Sequence, residues 1–199
     1  MWPWEHAIVG YVAYSLFCHA YYRSAPGGLE AFAVVFASVL PDLIDKPLSW
    51  QFGIFDSGYA IGHSIFFVIP VATAVGLVAR SYGKTHVGVA FGVVYLLHLP
   101  SDILDRIVRG GYFVPEIAFW PVATVAGYER DIAFFEYFFH LLGGYTYELL
   151  SGSPSPYLLF QLSLGSFAAL LWLYDGAPVA REVLLSLKER LVRDAREFS

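Results

Sequence analysis

Several stretches of this chain are apolar over nearly the length that crosses a bilayer, about 20 residues, and nothing else constrains its fold as strongly. The runs begin near Ala7, Leu29, Ile61, His86, Asp131 and Tyr157. The chain is 57% hydrophobic and only 15% charged, against about 25% charged residues in an ordinary soluble domain. Lipid offers backbone groups no hydrogen-bond partner, so such runs satisfy their own by coiling into helices. The sequence therefore predicts an all-α, polytopic membrane bundle of about six spans.

The predicted spans are Ala7 to Tyr22, Leu29 to Leu40, Ile61 to Tyr82, His86 to about Leu104, Asp131 to Leu150 and Tyr157 to Tyr174. Turn chemistry separates them at Ser24–Gly28, Gly83–Thr85 and Ser151–Pro154. Pro41 to Asp45 is read as the end of the second span, with a loop from Lys46 to Tyr59. The connection from Arg106 to Arg130 is long and aromatic, which suits an interfacial segment. From Pro178 the pattern changes. Ala180, Val183, Leu184, Leu187 and Leu191 recur at helical spacing among charges, the mark of an amphipathic surface helix. Residues 1–176 are thus assigned to the membrane bundle and residues 177–199 to this helix. The first run lacks a basic head and a clear cleavage site, so it reads as a retained span. The single cysteine, Cys18, excludes an intramolecular disulfide.

Direction alternates from span to span, and this sorts the titratable residues by depth. His6 opens the first span, Asp42 and Asp45 close the second, His63 opens the third, and His98 and Asp102 close the fourth. All six fall at the N-terminal end of the bundle. His98 and Asp102 are four apart, which puts them on one helical face. His19 and His86 fall at the other end and read as structural. Three imidazoles and three carboxylates at one depth in an apolar bundle call for a cation. Mixed nitrogen and oxygen donors suit a divalent metal, zinc ahead of manganese and magnesium. Glu136 and His140, four apart in the fifth segment, read equally as a second metal site or as bundle packing.

On this six-span reading the site end carries Lys46, Arg106, Arg109, Arg130 and the five basic residues of the tail, against Arg23, Arg80 and Lys84 at the other end. The positive-inside rule then places the site and both termini in the cytoplasm, in a multi-pass protein of the cell membrane.

The ordered set Glu5-His6, Leu40-Pro41-Asp42-Leu43-Ile44-Asp45, Gly62-His63-Ser64, His98 to Asp102 and Trp120-Pro121 resembles the membrane-bound metal-dependent hydrolases, also described as LexA-binding, inner-membrane-associated hydrolases. That family usually has a His-Arg pair where Gly58 and Tyr59 stand here. The order is also distantly similar to the zinc-dependent phospholipase C and single-strand nuclease superfamily. That likeness implies His6, Asp45, His63, His98 and Asp102 as metal ligands. Val108 stands where the superfamily has a further histidine, so a full three-metal cluster is not expected.

Together these readings predict a membrane metal-dependent hydrolase that acts on a phosphoester, with lipid as one candidate substrate, at the cytoplasmic face. Asp42 would be a ligand or would orient a histidine. Glu5 is the candidate general base, chosen for its position. Arg106 and Arg109 would hold an anionic head group, and Tyr112, Phe113, Phe119 and Trp120 would line lateral entry. The alternative is a non-catalytic metal-binding or metal-transport membrane protein. No nucleic-acid partner is evident in the sequence.

Overall fold

The computed structural model describes residues 1–127 and 134–197, and every regular element among them is helical. Helix α1 (Pro3–Phe17) runs on into a π-helical turn (Cys18–Tyr22). It is followed by α2 (Gly28–Trp50), α3 (Ile65–Ser81), α4 (Thr85–Val108), a 3-10 turn (Pro115–Ala118), α5 (Phe134–Leu150), α6 (Pro156–Tyr174) and α7 (Ala180–Glu197). Helix α2 passes through Pro41 and Pro47 instead of stopping at Pro41. A proline inside a helix costs one ladder bond and invites a kink, and here burial of the surrounding turn outweighs that loss. Asp131 to Ala133, expected at the start of the fifth span, lie outside the described residues, as do Arg130 and Phe198.

Helix α4 is the hub and packs against α1, α2 and α3. The core joins Tyr14, Val34, Ala37, Ala90, Val94 and Tyr95. Small residues bring the backbones close: a Cβ on Gly10 would stand 2.8 Å from Val94 Cγ1. Large apolar side chains also cover the outside, among them Phe32 and Phe36 on α2, Ile69 and Leu77 on α3, and Phe160, Phe167 and Leu170 on α6. In water such a surface would be an association liability; against lipid it is the required one. Among the described residues two helices, α4 and α6, qualify by length and composition to cross a membrane, rather than six. Helix α3 is apolar but shorter.

Polar contacts fix the direction of each helix. His6, early in α1, meets Asp102, late in α4. The Tyr14 hydroxyl donates to the carbonyl of His86, early in α4, so α1 and α4 are antiparallel. Tyr157, at the start of α6, reaches Glu5 and Asp105. Asp175, just past the end of α6, accepts from Tyr11 (2.7 Å) and Ser15 (2.6 Å) and meets His19 Nε2 at 2.7 Å. Helix α6 is therefore parallel to α1.

This overturns the expected crossing of the fifth segment. The backbone N–H of Phe134 donates to Gln51, Trp50 packs on Phe134 and Tyr137, Trp2 on Phe138 and Tyr145, and Glu148 accepts from the N–H of Ser155. Both ends of α5 thus touch the end of the bundle that holds the start of α1. Helix α5 lies across that end, which suits its density of Phe and Tyr. The physical reason is composition: Glu136, His140, Thr146 and Glu148 interrupt the apolar run. The tail consequently leaves from the opposite end. There Glu182 of α7 accepts from the N–H of Gly28, the first residue of α2, at 3.0 Å, leaving no room for a Cβ on Gly28. His86 is also at that end, stacked on Tyr22 with ring centroids 4.1 Å apart.

Because Glu182 supplies an N-terminal cap to α2, Glu182→Ala should lower the stability of the detergent-solubilised protein by about 1 kcal/mol. A chain ending at Gly176 should show a similar loss while staying helical. Thermal unfolding followed by circular dichroism measures both.

Candidate metal centre

Three helices and one loop deliver the expected residues to a single point. Asp42 and Asp45 share a face of α2, His98 and Asp102 share a face of α4, His6 comes from the first turn of α1, and His63 stands just before α3. All six are buried. One donor atom from each of Asp42, His63, His98 and Asp102 lies within 4.8 Å of the others. His63 Nε2 is 3.4 Å from Asp42 Oδ1 and 3.3 Å from Asp102 Oδ2, and His98 Nε2 is 3.4 Å from the same Asp102 oxygen. His6 stacks on His98 at 3.8 Å between centroids and brings its Nε2 to 3.1 Å from Asp102 Oδ1.

The hydrogen bonds behind the rings decide what the front of the site offers. His98 Nδ1 is 2.7 Å from the carbonyl oxygen of Ser38, which can only accept, so this nitrogen carries the proton. His63 Nδ1 is 2.8 Å from Asp45 Oδ2 and is protonated by the same reasoning. In the neutral rings each Nε2 is then the lone-pair nitrogen, and the two face each other at 3.1 Å. Two lone pairs at that separation repel unless a proton or a cation lies between them. Asp42 Oδ1, Asp102 Oδ2 and both nitrogens of His6 also make no hydrogen bond among the described residues. Buried polar atoms are rarely left so, and here they converge with the imidazole lone pairs. The donor set fits a divalent metal in number, chemistry and direction.

Asp45 is placed behind the centre. It accepts from the backbone N–H groups of Ala60, Gly62 and His63 as well as from His63 Nδ1. Gly62 lets the loop approach: a Cβ there would stand 2.8 Å from the Pro41 carbonyl oxygen. The carboxylate thus orients His63, as second carboxylates do behind metal-bound imidazoles.

A cavity of about 730 Å³ adjoins the cluster, lined by Asp42, Lys46, Tyr59, Arg106 and Arg109 and walled by aromatic residues of α5. Lys46 Nζ is 2.6 Å from Asp42 Oδ2. Tyr59 meets His63 edge-on at 5.0 Å, and Arg106 lies over the Tyr59 ring. Burial, with the nearby Asp102 and Asp42 carboxylates, pushes the Tyr59 phenol up and keeps it a hydroxyl donor. Arg109 forks onto Asp105 and donates to the Tyr157 hydroxyl at 2.9 Å. The Met1 ammonium sits 3.0 Å from Asp102 and 3.2 Å from Asp105.

The remaining expected residues fall elsewhere. Glu5 is held in the first turn of α1, accepting from the N–H of Trp2 and from the Tyr157 hydroxyl. Glu136 and His140 are exposed on α5; His140 lines the cavity wall, and neither joins the cluster. Tyr112, Phe113, Phe119 and Trp120 do not line the cavity, whose aromatic wall comes from Trp2, Trp50 and α5 instead. Lys46, Tyr59, Asp105 and Tyr157 surround the site without having been anticipated. Asp105 was detectable as one turn beyond Asp102, whereas nothing near Tyr157 in sequence signals its long-range contact.

Comparison with family models finds that the model described as YdjM inner membrane protein matches residues 1–176. No curated protein and no solved structure matches the chain.

The geometry separates residues that would hold a metal from one that orients a holder. Asp102→Asn and His98→Ala should each leave purified protein without stoichiometric metal. Asp45→Ala should keep a site weakened about 10- to 100-fold in affinity. Competition with a calibrated chelator reads the difference.

Proposed function

The chain belongs to the YdjM inner membrane protein family, and from that premise and the cluster geometry we propose that it is a membrane-bound, divalent-metal-dependent phosphoester hydrolase. The observation that carries the reading is the pair of imidazole nitrogens, His63 Nε2 and His98 Nε2, facing each other at 3.1 Å beside two buried carboxylate oxygens that make no hydrogen bond among the described residues.

His6, Asp42, His63, His98 and Asp102 are assigned as the metal-holding set, and zinc suits their chemistry best, ahead of manganese and magnesium. A divalent cation bound there would lower the pKa of a water and stabilise charge on a phosphoryl oxygen. Asp45 and the Ser38 carbonyl hold the two imidazoles in the tautomer that offers Nε2. Lys46, Arg106 and Arg109 line the adjoining cavity together with Asp42, Asp56 and Glu148, and the basic side chains supply partners for an anionic phosphate. Tyr59 offers a protonated hydroxyl at the cavity wall, in the place where the metal-dependent hydrolase family that this chain resembles usually has arginine. Glu5 is engaged by Trp2 and Tyr157, so its part is to position Tyr157 and Arg109. The aromatic wall fits the acyl portion of a lipid, so the proposed substrate class is a phosphoester with an apolar part.

Turnover of an activated phosphodiester by the detergent-solubilised protein tests the reading. Activity should vanish on metal removal and return with zinc or manganese. Asp102→Asn and His98→Ala should each abolish it, and the double variant should be no worse, because the residues act as a unit. Metal binding without turnover of any phosphoester would instead support a non-catalytic metal carrier. Arg106→Ala should raise KM about tenfold with little change in kcat.

A further inference from the structure

Helices α4 and α6 are each long and apolar enough to cross a membrane, and they run in opposite directions. Asp105, in the last turn of α4, meets Tyr157, in the first turn of α6. The two ends of the bundle therefore face opposite sides of the bilayer. One end holds the metal-binding cluster, the cavity and α5. The other holds the α3–α4 turn, the start of α2 and the tail helix α7.

The basic residues divide unequally between these ends. With the cluster lie Lys46, Arg106 and Arg109, and each is engaged: Lys46 with Asp42, Arg106 with Tyr59, Arg109 with Asp105. At the other end lie Arg23, Arg80 and Lys84, and α7, which docks there through Glu182, carries Arg181, Lys188, Arg190 and Arg193: seven against three among the described residues. Arg130 and the Arg196 side chain lie outside them. Helix α7 presents Val183, Leu184, Leu187 and Leu191 to the surroundings without packing them on the bundle. An apolar stripe flanked by basic residues is the pattern of a helix lying on an anionic membrane surface.

Basic residues near the ends of spans are retained in the cytoplasm. We infer that α7 lies on the cytoplasmic face and that the metal centre opens on the opposite, non-cytoplasmic face, where it takes phosphoesters that arrive from that side. The orientation is the reverse of the one six alternating spans would give, because α5 does not cross. The statement about substrate rests on the hydrolase reading; the statement about orientation does not.

The test uses the full chain with Cys18→Ala, carrying one new cysteine, in intact spheroplasts treated with a membrane-impermeant maleimide. Thr124→Cys and, as a second position, Val122→Cys lie on the exposed connection at the cluster end. Ser81→Cys and Ser186→Cys lie at the other end. The cluster-end cysteines should label in intact spheroplasts, and the other two only after permeabilisation. The reverse pattern overturns the inference, and so does labelling of both ends from one face. Metal content of the solubilised protein is read separately. Loss of the hydrolase reading would show there and would leave the labelling pattern unchanged.

Discussion

Two imidazole rings whose Nε2 atoms face each other form the constraint on which the rest of this structure depends. His63 and His98 are each fixed from behind, by Asp45 and by the Ser38 carbonyl. Neither ring can turn away without abandoning a buried hydrogen bond. Beside them stand carboxylate oxygens that make no hydrogen bond among the described residues, and a cation would satisfy all of these atoms at once. Every helix that contributes to the site is also held by contacts remote from it, so the donors are kept in place by packing.

Helix α4 carries much of this arrangement. Its apolar middle packs on three neighbours, and its last turns present His98, Asp102 and Asp105 in succession toward the same end. Asp102 meets His6, His63, His98 and the Met1 ammonium. Asp105 meets Arg109 and Tyr157. The metal-binding cluster and the polar seam to α6 are thus consecutive turns of one helix. The position of α6 is tied to the position of the cluster.

The convergence of His6, Asp42, His63, His98 and Asp102 was readable because it needs only the parity of the first four helices. Each donor stands in the half of its helix, or just before the helix start, that lies toward the cluster, and alternating direction brings those halves together. The same reasoning failed at α5, where aromatic residues favour the interface as readily as the interior. A hydropathy pattern cannot separate a helix that lies flat from one that crosses. That single error in parity moved α7 to the wrong end and reversed the apparent charge bias. The roles of Asp42 and Asp45 were not separable either. Three residues apart, both face the same way, and the loop amides of residues 60, 62 and 63 decide which one is taken up. Tyr157 had no signal, since its partners lie at least 48 residues away.

Helix α6 is fastened at both ends to the rest of the bundle, by Tyr157 at one end and by Asp175 at the other. Their separation of 18 positions in sequence corresponds to about 27 Å of helix, close to the roughly 30 Å thickness of bilayer hydrocarbon. The two polar clamps therefore act as a fixed-length gauge. In a thicker bilayer one clamp would be drawn into hydrocarbon, so the protein must thin the lipid around it rather than stretch. The metal centre sits beside one clamp and is consequently held at a set depth below the head groups, whatever membrane surrounds it.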